Sequence, residues 1–346
     1  MDRHTPPRPR TARHTATELR QRTAFHLAAA AALAGSPVNA QDTITAMHDG
    51  LTGPLAGEVS GTLAPGSPVV LIIPGSGPTD RDGNSPLGIA AAPYRLLAAA
   101  LAERGIASVR VDKRGMFASA QAGDANAVTV DAYVADIAAW TEAIAARRGE
   151  GCIWLAGHSE GGVLALAAAA DAASGRYCGL VLLATPGRPL SEILLSQLRA
   201  NPANKPLLRR AEAAIGDLVS GRRHDTAGMH PALLPLFAPQ LQGFLISLFA
   251  QEPARLAAAT ALPMLIVQGT TDLQVSEADA RTLAAARPDA RLVLLPGVNH
   301  VFKAAPADPA ANLSTYADPS LPLADGVAEA VAAFIAPPAP PAPSGG

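Results

Sequence analysis

The sequence predicts an α/β fold in which a mostly parallel β-sheet is covered by helices on both faces. From about residue 57 onward, short apolar runs alternate with longer stretches of helical pattern. The short runs are apolar at every position, which is typical of strands buried on both faces. The 346 residues are 49% hydrophobic and 16% charged, which is enough apolar material for one large core.

The predicted strands and helices alternate along the chain. Strands are expected at 69–73, 107–112, 152–156, 180–184, 264–268 and 291–295. Helices are expected at 94–104, 131–147, 161–173, 277–287 and 327–335. The alternation stops in residues 188–260, which are rich in leucine and broken by prolines, and this predicts a helical cap inserted between two strands. Because ligands of open α/β sheets bind at the carboxyl ends of the strands, the cap is expected to cover the binding site.

Both ends of the chain differ from its middle in composition. Six arginines within the first 22 residues precede an apolar run at 25–34 and a small-x-small triplet at 38–40. This order is typical of a secretory signal peptide over residues 1–40, which predicts a periplasmic or secreted protein. A cytoplasmic tail or a misassigned start codon is the alternative. Residues 337–346 are rich in proline and predict a disordered tail, which leaves 41–336 as one domain that includes the cap.

Charge and hydropathy exclude several classes of function. The net charge of −2, with no extended basic stretch after the N-terminal region, gives no electrostatic basis for binding nucleic acid. No stretch after that region reaches about eighteen apolar residues, so stable membrane insertion is not expected. Two cysteines cannot build a metal cage, and neither a metal nor a cofactor is expected. Cys152 begins one predicted strand and Cys178 lies just before the next, so the two cysteines form either a disulfide or two thiols. The oligomeric state is left open.

The strongest local signal is the pentapeptide Gly157-His158-Ser159-Glu160-Gly161. It lies directly after a predicted strand and directly before a predicted helix. A G-x-S-x-G sequence in this context is typical of a nucleophile elbow, a strained turn that exposes the serine oxygen at the end of the sheet. Ser159 is therefore the candidate nucleophile. An ordinary strand-to-helix connection is the alternative.

A serine hydroxyl needs a base that removes its proton and an acid that orients this base. On sheets with such an elbow, the expected chain order is serine, acid, histidine. Asp272 lies just after the fifth predicted strand and His300 just after the sixth, both at carboxyl ends. We therefore expect His300 to act as the base and Asp272 to orient it. Asp279 and Asp289 compete less well for the acid, because one falls inside a predicted helix and the other precedes a strand.

The loop after the first predicted strand, residues 74–78, is expected to help stabilise a tetrahedral intermediate. That intermediate needs two N–H donors, one from the residue after the nucleophile and one from such a loop. The backbone N–H groups of Ser76 and Glu160 are therefore the candidate oxyanion hole. The glycines of this loop also resemble a dinucleotide fingerprint, but Asp80 stands where the third glycine is required.

Charged residues are concentrated in two loops near the same end of the predicted sheet: Asp80, Arg81, Asp82, Lys113 and Arg114. Charges beside a low-dielectric site are usually compensated. We therefore expect these residues to pair with one another and to brace the oxyanion loop. Binding of a carboxylate-bearing substrate is the alternative.

Several segments, in order, resemble the bacterial α/β-hydrolase serine esterases of the EstD type. They are 74–84 (PGSGPTDRDGN), 112–116 (DKRGM), 157–161 (GHSEG), 265–275 (LIVQGTTDLQV) and the final Asn299-His300. The resemblance extends from about residue 55 to 335 and includes parts of the cap. It implies the α/β-hydrolase fold and a carboxylesterase that acts on small acyl esters, with Ser159, Asp272 and His300 at the triad positions.

The same catalytic machinery serves lysophospholipases, thioesterases and acyltransferases, so these activities are alternatives to ester hydrolysis. A binding protein without catalysis is a more remote alternative, because serine, acid and histidine occur in the expected order. Phe237, Phe244 and Phe249, three of only seven phenylalanines, cluster in the predicted cap. They are the candidate apolar wall for the acyl group of a small-molecule ester.

Overall fold

The structure is a computed structural model and describes residues 42–171 and 175–336. Its strands are β1 (Thr43–Ala46), β2 (Leu55–Ser60), β3 (Val69–Ile73), β4 (Ala107–Val111), β5 (Ile153–His158), β6 (Tyr177–Leu183), β7 (Met264–Gly269) and β8 (Arg291–Leu295). Its helices are α1 (Pro93–Ala102), α2 (Val130–Arg148), α3 (Glu160–Asp171), α4 (Leu190–Ala200), α5 (Leu208–Val219), α6 (Leu234–Phe237), α7 (Gln242–Phe249), α8 (Pro253–Ala259), α9 (Glu277–Ala286), α10 (Pro309–Ser314) and α11 (Val327–Ile335). None of these helices combines the length and the apolar character needed to cross a bilayer. The predicted signal peptide (1–40) and the predicted tail (337–346) lie outside the described residues.

Within the described residues, the strands form one sheet in the order β1-β2-β4-β3-β5-β6-β7-β8. β2 runs antiparallel to both of its neighbours, whereas all other neighbouring strands are parallel. The parallel strands therefore present their carboxyl ends along a single edge of the sheet. The residues that follow β3, β5, β7 and β8 include all of the predicted catalytic positions, so the topology collects them at that edge.

The predicted elements agree closely with the observed ones in the parallel part of the sheet. β3, β8 and α11 have the predicted bounds, and the other predicted ends shift by at most three residues. Strands β1 and β2, which extend the sheet on the side of β4, were not predicted from the sequence. Residues of β2 alternate between buried and partly exposed, and the strand contains Gly57 and Glu58, two residue types depleted in strands. This weakens the pattern that marks a buried strand.

The core lies on both faces of the sheet, and β3 shows why its strands are apolar throughout. Val69, Leu71 and Ile73 belong to the apolar cluster on one face. Val70 and Ile72 belong to the cluster on the other face. All five side chains are at most 4% exposed. Successive residues of a strand point to opposite faces, so a sheet covered on both faces requires apolar residues at every position.

Helices α4 to α7 lie between β6 and β7 and bury an apolar cluster of their own, which includes Phe237 and Phe249. They are attached to the rest of the domain through α2, where the Ser247 hydroxyl accepts a hydrogen bond from the Val130 N–H at 3.1 Å. Helix α8 also falls within the predicted cap, but it packs against α3 and α9, and its Ala257 belongs to the core beside the sheet. The predicted cap region thus contains one helix that flanks the sheet.

Cys152, which directly precedes β5, forms a disulfide with Cys178 in β6, and their Cα atoms are 5.0 Å apart. The pairing follows from the sheet, since β5 and β6 are adjacent parallel strands. Of the two states that the sequence leaves open, the structure therefore contains the disulfide.

Candidate active site

The turn between β5 and α3 places Ser159 at the carboxyl edge of the sheet. Ser159 has a φ of 54°, in the left-handed region that residues other than glycine rarely adopt. A Cβ on Gly157 would lie 2.2 Å from the carbonyl oxygen of Gly161, and a Cβ on Gly161 would lie 2.3 Å from that of Ile73. Both flanking positions therefore require glycine. The strained turn expected from the pentapeptide is present, and Ser159 is partly exposed.

Asp272 lies three residues after β7, and only 1% of its side chain is exposed. Its Oδ1 accepts hydrogen bonds from the backbone N–H groups of Gln274 and Val275, at 2.7 and 3.0 Å. Its Oδ2 accepts from the Gln268 amide at 3.1 Å and from His300 Nδ1 at 2.7 Å. Burial raises the pKa of this carboxyl, but the His300 ring and the hydrogen-bond donors outweigh burial and hold the pKa below its usual value. Asp272 is therefore an ionised carboxylate.

His300 lies five residues after β8 and is 4% exposed. An ionised carboxylate only accepts hydrogen bonds, so Nδ1 of His300 carries the proton that it donates to Asp272. In the neutral ring, Nε2 then has a free lone pair, which is the form required of a base. The ring centroid of His300 is 4.6 Å from that of His158, the residue before Ser159. The structure thus brings the predicted acid and base together, next to the turn that carries the predicted nucleophile.

His158 links three parts of this site that are distant in the chain. Its Nδ1 is 2.7 Å from the Tyr94 hydroxyl, and its Nε2 is 2.9 Å from the backbone carbonyl oxygen of His300. A carbonyl only accepts, so Nε2 carries the ring proton and Nδ1 accepts from the Tyr94 hydroxyl. That hydroxyl accepts in turn from the Gly75 N–H at 3.1 Å. Burial and, secondly, the His300 ring lower the pKa of His158 to about 3, so the ring stays neutral.

This network of His158 was not predicted from the sequence. Its partners are separated by 64 and 142 residues, and no local pattern marks such distant contacts.

The predicted oxyanion loop is held by side chains from two other segments. The Ser76 hydroxyl donates to Glu160 Oε2 at 2.9 Å, so the two residues expected to supply N–H groups are joined to each other. The Lys113 ammonium donates to the Gly75 carbonyl oxygen at 2.6 Å. Burial lowers the pKa of Lys113, and the nearby Glu160 carboxylate opposes this effect. The role of the Ser76 and Glu160 N–H groups as the oxyanion hole stays a prediction.

The expectation that the five charged residues of the two loops pair with one another is wrong. Partners from outside the set are used instead: Arg81 pairs with Asp112 at 2.5 Å, Asp82 with Arg110, and Arg114 with Asp136 at 2.5 Å. Asp80 accepts backbone N–H groups of its own loop. Of the five, Lys113 contacts the Gly75 carbonyl directly and so braces the oxyanion loop. The partners come from β4 and α2 as well as the loops, and only the folded chain brings these elements together.

The three candidate pocket residues lie in different surroundings. Phe237 is fully buried and Phe249 is 5% exposed, and both pack inside the α4–α7 cluster. Phe244 is partly buried, and its ring stands edge-on to that of Tyr133 with centroids 5.8 Å apart. Phe237 and Phe249 therefore hold the inserted helices together. An acyl-binding role for the three rings stays a prediction.

The competing acids have other partners. Asp279 is buried, accepts a hydrogen bond from Arg188 at 3.0 Å and caps the first turn of α9 through Ser276. Asp289 pairs with Arg287. Both carboxylates thus have structural roles, which leaves Asp272 as the acid that contacts a histidine at the edge of the sheet. Among the described residues, no cluster of His, Cys, Asp or Glu is arranged to hold a metal ion.

The family model described as serine aminopeptidase, S33, a hydrolase family, matches residues 88–303. The chain belongs to this family. The matched range includes the elbow, both of its predicted partners and the inserted helices.

One curated protein and one solved structure are similar to this chain. It is 27% identical over 240 residues to Esterase EstD of Thermotoga maritima, a match that covers 68% of this chain and 54% of that protein. The chain thus spans about half the length of this curated relative. The solved structure of Est1E from Butyrivibrio proteoclasticus with ferulic acid bound is similar with a TM-score of 0.50 at 18% identity, covering 79% of this chain and 94% of that one. With the observed sheet order, these similarities confirm the α/β-hydrolase fold and the resemblance to EstD-type proteins.

Proposed function

We propose that this protein is a serine carboxylesterase that hydrolyses small acyl esters through an acyl-enzyme intermediate. The observation that carries the proposal is the buried Asp272–His300 pair beside the strained Ser159 turn. The ionised carboxylate fixes the tautomer in which His300 Nε2 is free to accept a proton. A serine in such a turn becomes a nucleophile when a base of this kind removes its proton.

In the proposed reaction, Ser159 Oγ attacks the ester carbonyl carbon while His300 Nε2 takes the hydroxyl proton. Asp272 stabilises the imidazolium that forms, and the N–H groups of Ser76 and Glu160 donate to the developing oxyanion. The intermediate collapses as His300 returns the proton to the leaving alkoxide. Water then repeats the sequence on the acyl-enzyme, with His300 as base, and releases the acid.

The similarity to Esterase EstD supports esters as the substrate class, and membership of the serine aminopeptidase S33 family extends the possible substrates to amides. The same residues would serve a lysophospholipase, a thioesterase or an acyltransferase. A binding protein without catalysis is disfavoured, because it would not need an ionised acid that orients a histidine beside a strained serine.

Labelling with a fluorophosphonate tests the reaction class. We expect one labelled site in the wild type and none in Ser159→Ala, and a well-folded wild type that stays unlabelled would overturn the proposal. A panel of p-nitrophenyl esters of increasing chain length, an acyl-CoA thioester and an aminoacyl p-nitroanilide tests the substrate class. We expect kcat/KM to be highest for short esters, and a preference for the anilide would favour an aminopeptidase.

We also propose that the protein is exported. The leader-like residues 1–40 motivate this, and the Cys152–Cys178 disulfide supports it because disulfides persist mainly in oxidising compartments. Fractionation of expressing cells, with N-terminal sequencing of the mature chain, tests it. Uncleaved protein confined to the cytoplasm would contradict export.

A further inference from the structure

The peptide bond between Gly75 and Ser76 is held from its carbonyl side. The Lys113 ammonium donates to the Gly75 oxygen at 2.6 Å, and only 5% of the Lys113 side chain is exposed. The described peptide bonds are all trans. In a trans peptide, C=O and N–H point in opposite directions. A contact that fixes the Gly75 carbonyl therefore also fixes the direction of the Ser76 N–H.

The reversed orientation of this peptide is electrostatically unfavourable. Rotation by half a turn would place the Ser76 N–H against the Lys113 ammonium, so that two donors face each other. The buried ammonium would also lose its carbonyl acceptor, and an unpaired buried cation is costly. In the observed orientation, the cation instead polarises the peptide, which strengthens its N–H as a donor.

Glu160 holds the same peptide through Ser76, the residue that supplies its N–H group. Its side chain is 3% exposed, and Oε2 accepts the Ser76 hydroxyl at 2.9 Å. Oε1 has no hydrogen-bond partner among the described residues and lies 3.8 Å from Lys113 Nζ. Lys113 thus provides the nearby opposite charge for this buried carboxylate. The pair encloses the Gly75–Ser76 peptide, with the cation on Gly75 and the anion on Ser76.

We propose that Lys113 and Glu160 are positioning residues that lock the Gly75–Ser76 peptide in the orientation in which its N–H faces the oxyanion. The proposal rests on the proposed function, because the oxyanion exists only if Ser159 attacks an acyl carbon. Neither side chain reacts, and both act through the backbone of the loop.

The test compares two double variants. Lys113→Met/Glu160→Gln removes both buried charges together, so that no charge is left unpaired, and glutamine can still accept the Ser76 hydroxyl. Arg114→Met/Asp136→Asn is the matched control. It neutralises an ion pair of 2.5 Å on the neighbouring residue, with both side chains below 10% exposure. That pair contacts neither residue of the locked peptide.

For the Lys113/Glu160 variant we expect kcat on a chromogenic ester to fall about 10²-fold to 10³-fold, as for the loss of one oxyanion donor. KM should change by less than about threefold, because ground-state binding does not use this N–H. The Ki of an arylboronic acid, whose tetrahedral adduct carries an oxyanion-like oxygen, should rise by about the same factor as kcat falls. For the control we expect a lower Tm, with kcat and Ki within about threefold of the wild type.

Crystal structures of both double variants give a readout that does not depend on turnover. We expect the Gly75 carbonyl to be reoriented when Lys113 is replaced and unchanged in the control. An unchanged peptide together with unchanged kcat overturns the lock, and so does an equal loss of kcat in both variants. Failure of the proposed function would look different, since the wild type itself would then hydrolyse no ester and resist the fluorophosphonate.

Discussion

Asp272→Asn is the most direct perturbation of the proposed mechanism, because the structure dictates how the new amide must sit. Two backbone N–H groups donate to Oδ1, at 2.7 and 3.0 Å, so the amide oxygen of asparagine must occupy that place. The NH₂ group then takes the place of Oδ2. In the wild type, two groups donate hydrogen bonds to Oδ2: Gln268 Nε2 at 3.1 Å and His300 Nδ1 at 2.7 Å. The new NH₂ group would therefore face two other donors.

His300 can relieve this conflict by moving its proton from Nδ1 to Nε2. Nδ1 then accepts from the amide, but Nε2 has no lone pair for the Ser159 proton. A histidine held in the wrong tautomer costs about 10⁴-fold in kcat, which is about 5 kcal/mol of transition-state stabilisation. The Gln268 amide loses its carboxylate acceptor but still donates to the Gly269 and Val275 carbonyl oxygens, at 3.1 and 3.0 Å, so this loss should cost about 1 kcal/mol of folding stability.

Steady-state kinetics on a chromogenic ester measure the first effect, and urea unfolding measures the second. Asp279→Asn is the matched control, since Asp279 is also a buried carboxylate but pairs with Arg188 away from the site. We expect it to lose stability and to keep its kcat. A kcat for Asp272→Asn within tenfold of the wild type would refute the assignment of Asp272 as the acid that orients His300.

Three further predictions concern stability. Gly161→Ala should lower the free energy of unfolding in urea by about 1–3 kcal/mol, because its Cβ would lie 2.3 Å from a backbone carbonyl oxygen of β3. In the control Gly216→Ala, in helix α5, nothing lies within 4 Å of the new Cβ, so the free energy of unfolding should rise by up to about 1 kcal/mol. The pKa of His158 is about 3 in the folded chain against an ordinary 6.5, so the unfolded chain binds the extra proton between these values and stability should fall with falling pH. The slope from this ring approaches about 1.4 kcal/mol per pH unit, and an equal slope in His158→Asn between pH 6 and 4.5 would contradict the burial of a neutral ring. Replacing Cys152 and Cys178 together by serine should cost about 3.5 kcal/mol for a separation of 26 residues; an unchanged midpoint of unfolding would argue against the disulfide.

Much of the fold and most of the candidate site are readable from the sequence, for local reasons. A strand covered on both faces must be apolar at every position, as β3 is, so its bounds follow from composition alone. The elbow is recognisable locally, because Ser159 and its two flanking glycines lie within five residues, although the contact that requires Gly161 is with the Ile73 carbonyl oxygen of a neighbouring strand. Asp272 and His300 are predictable because each follows a strand, and parallel strands end along the same edge.

The errors have separate physical causes. Charge compensation within the two loops predicted that Arg81, Asp82 and Arg114 pair inside their own set, yet each binds a residue outside it. The short antiparallel strands β1 and β2 escaped notice because half of their positions are less than fully buried. Helix α8 lies within the predicted cap region, but its surroundings make it part of the core.

By itself the sequence determined the α/β architecture, the six parallel strands and their order along the chain, and which serine, carboxylate and histidine are candidates for catalysis. These depend on periodicity and on turns, which act over a few residues. Only the tertiary structure decided which ring nitrogen carries the proton in His300 and in His158. In His300 this depends on Asp272, and in His158 it depends on the His300 carbonyl oxygen, 142 residues away. The same holds for Lys113, whose ammonium is buried against the Gly75 carbonyl 38 residues away. Hydrogen bonds and ion pairs depend on distances of a few ångströms between remote segments, and those distances exist only once the chain has folded.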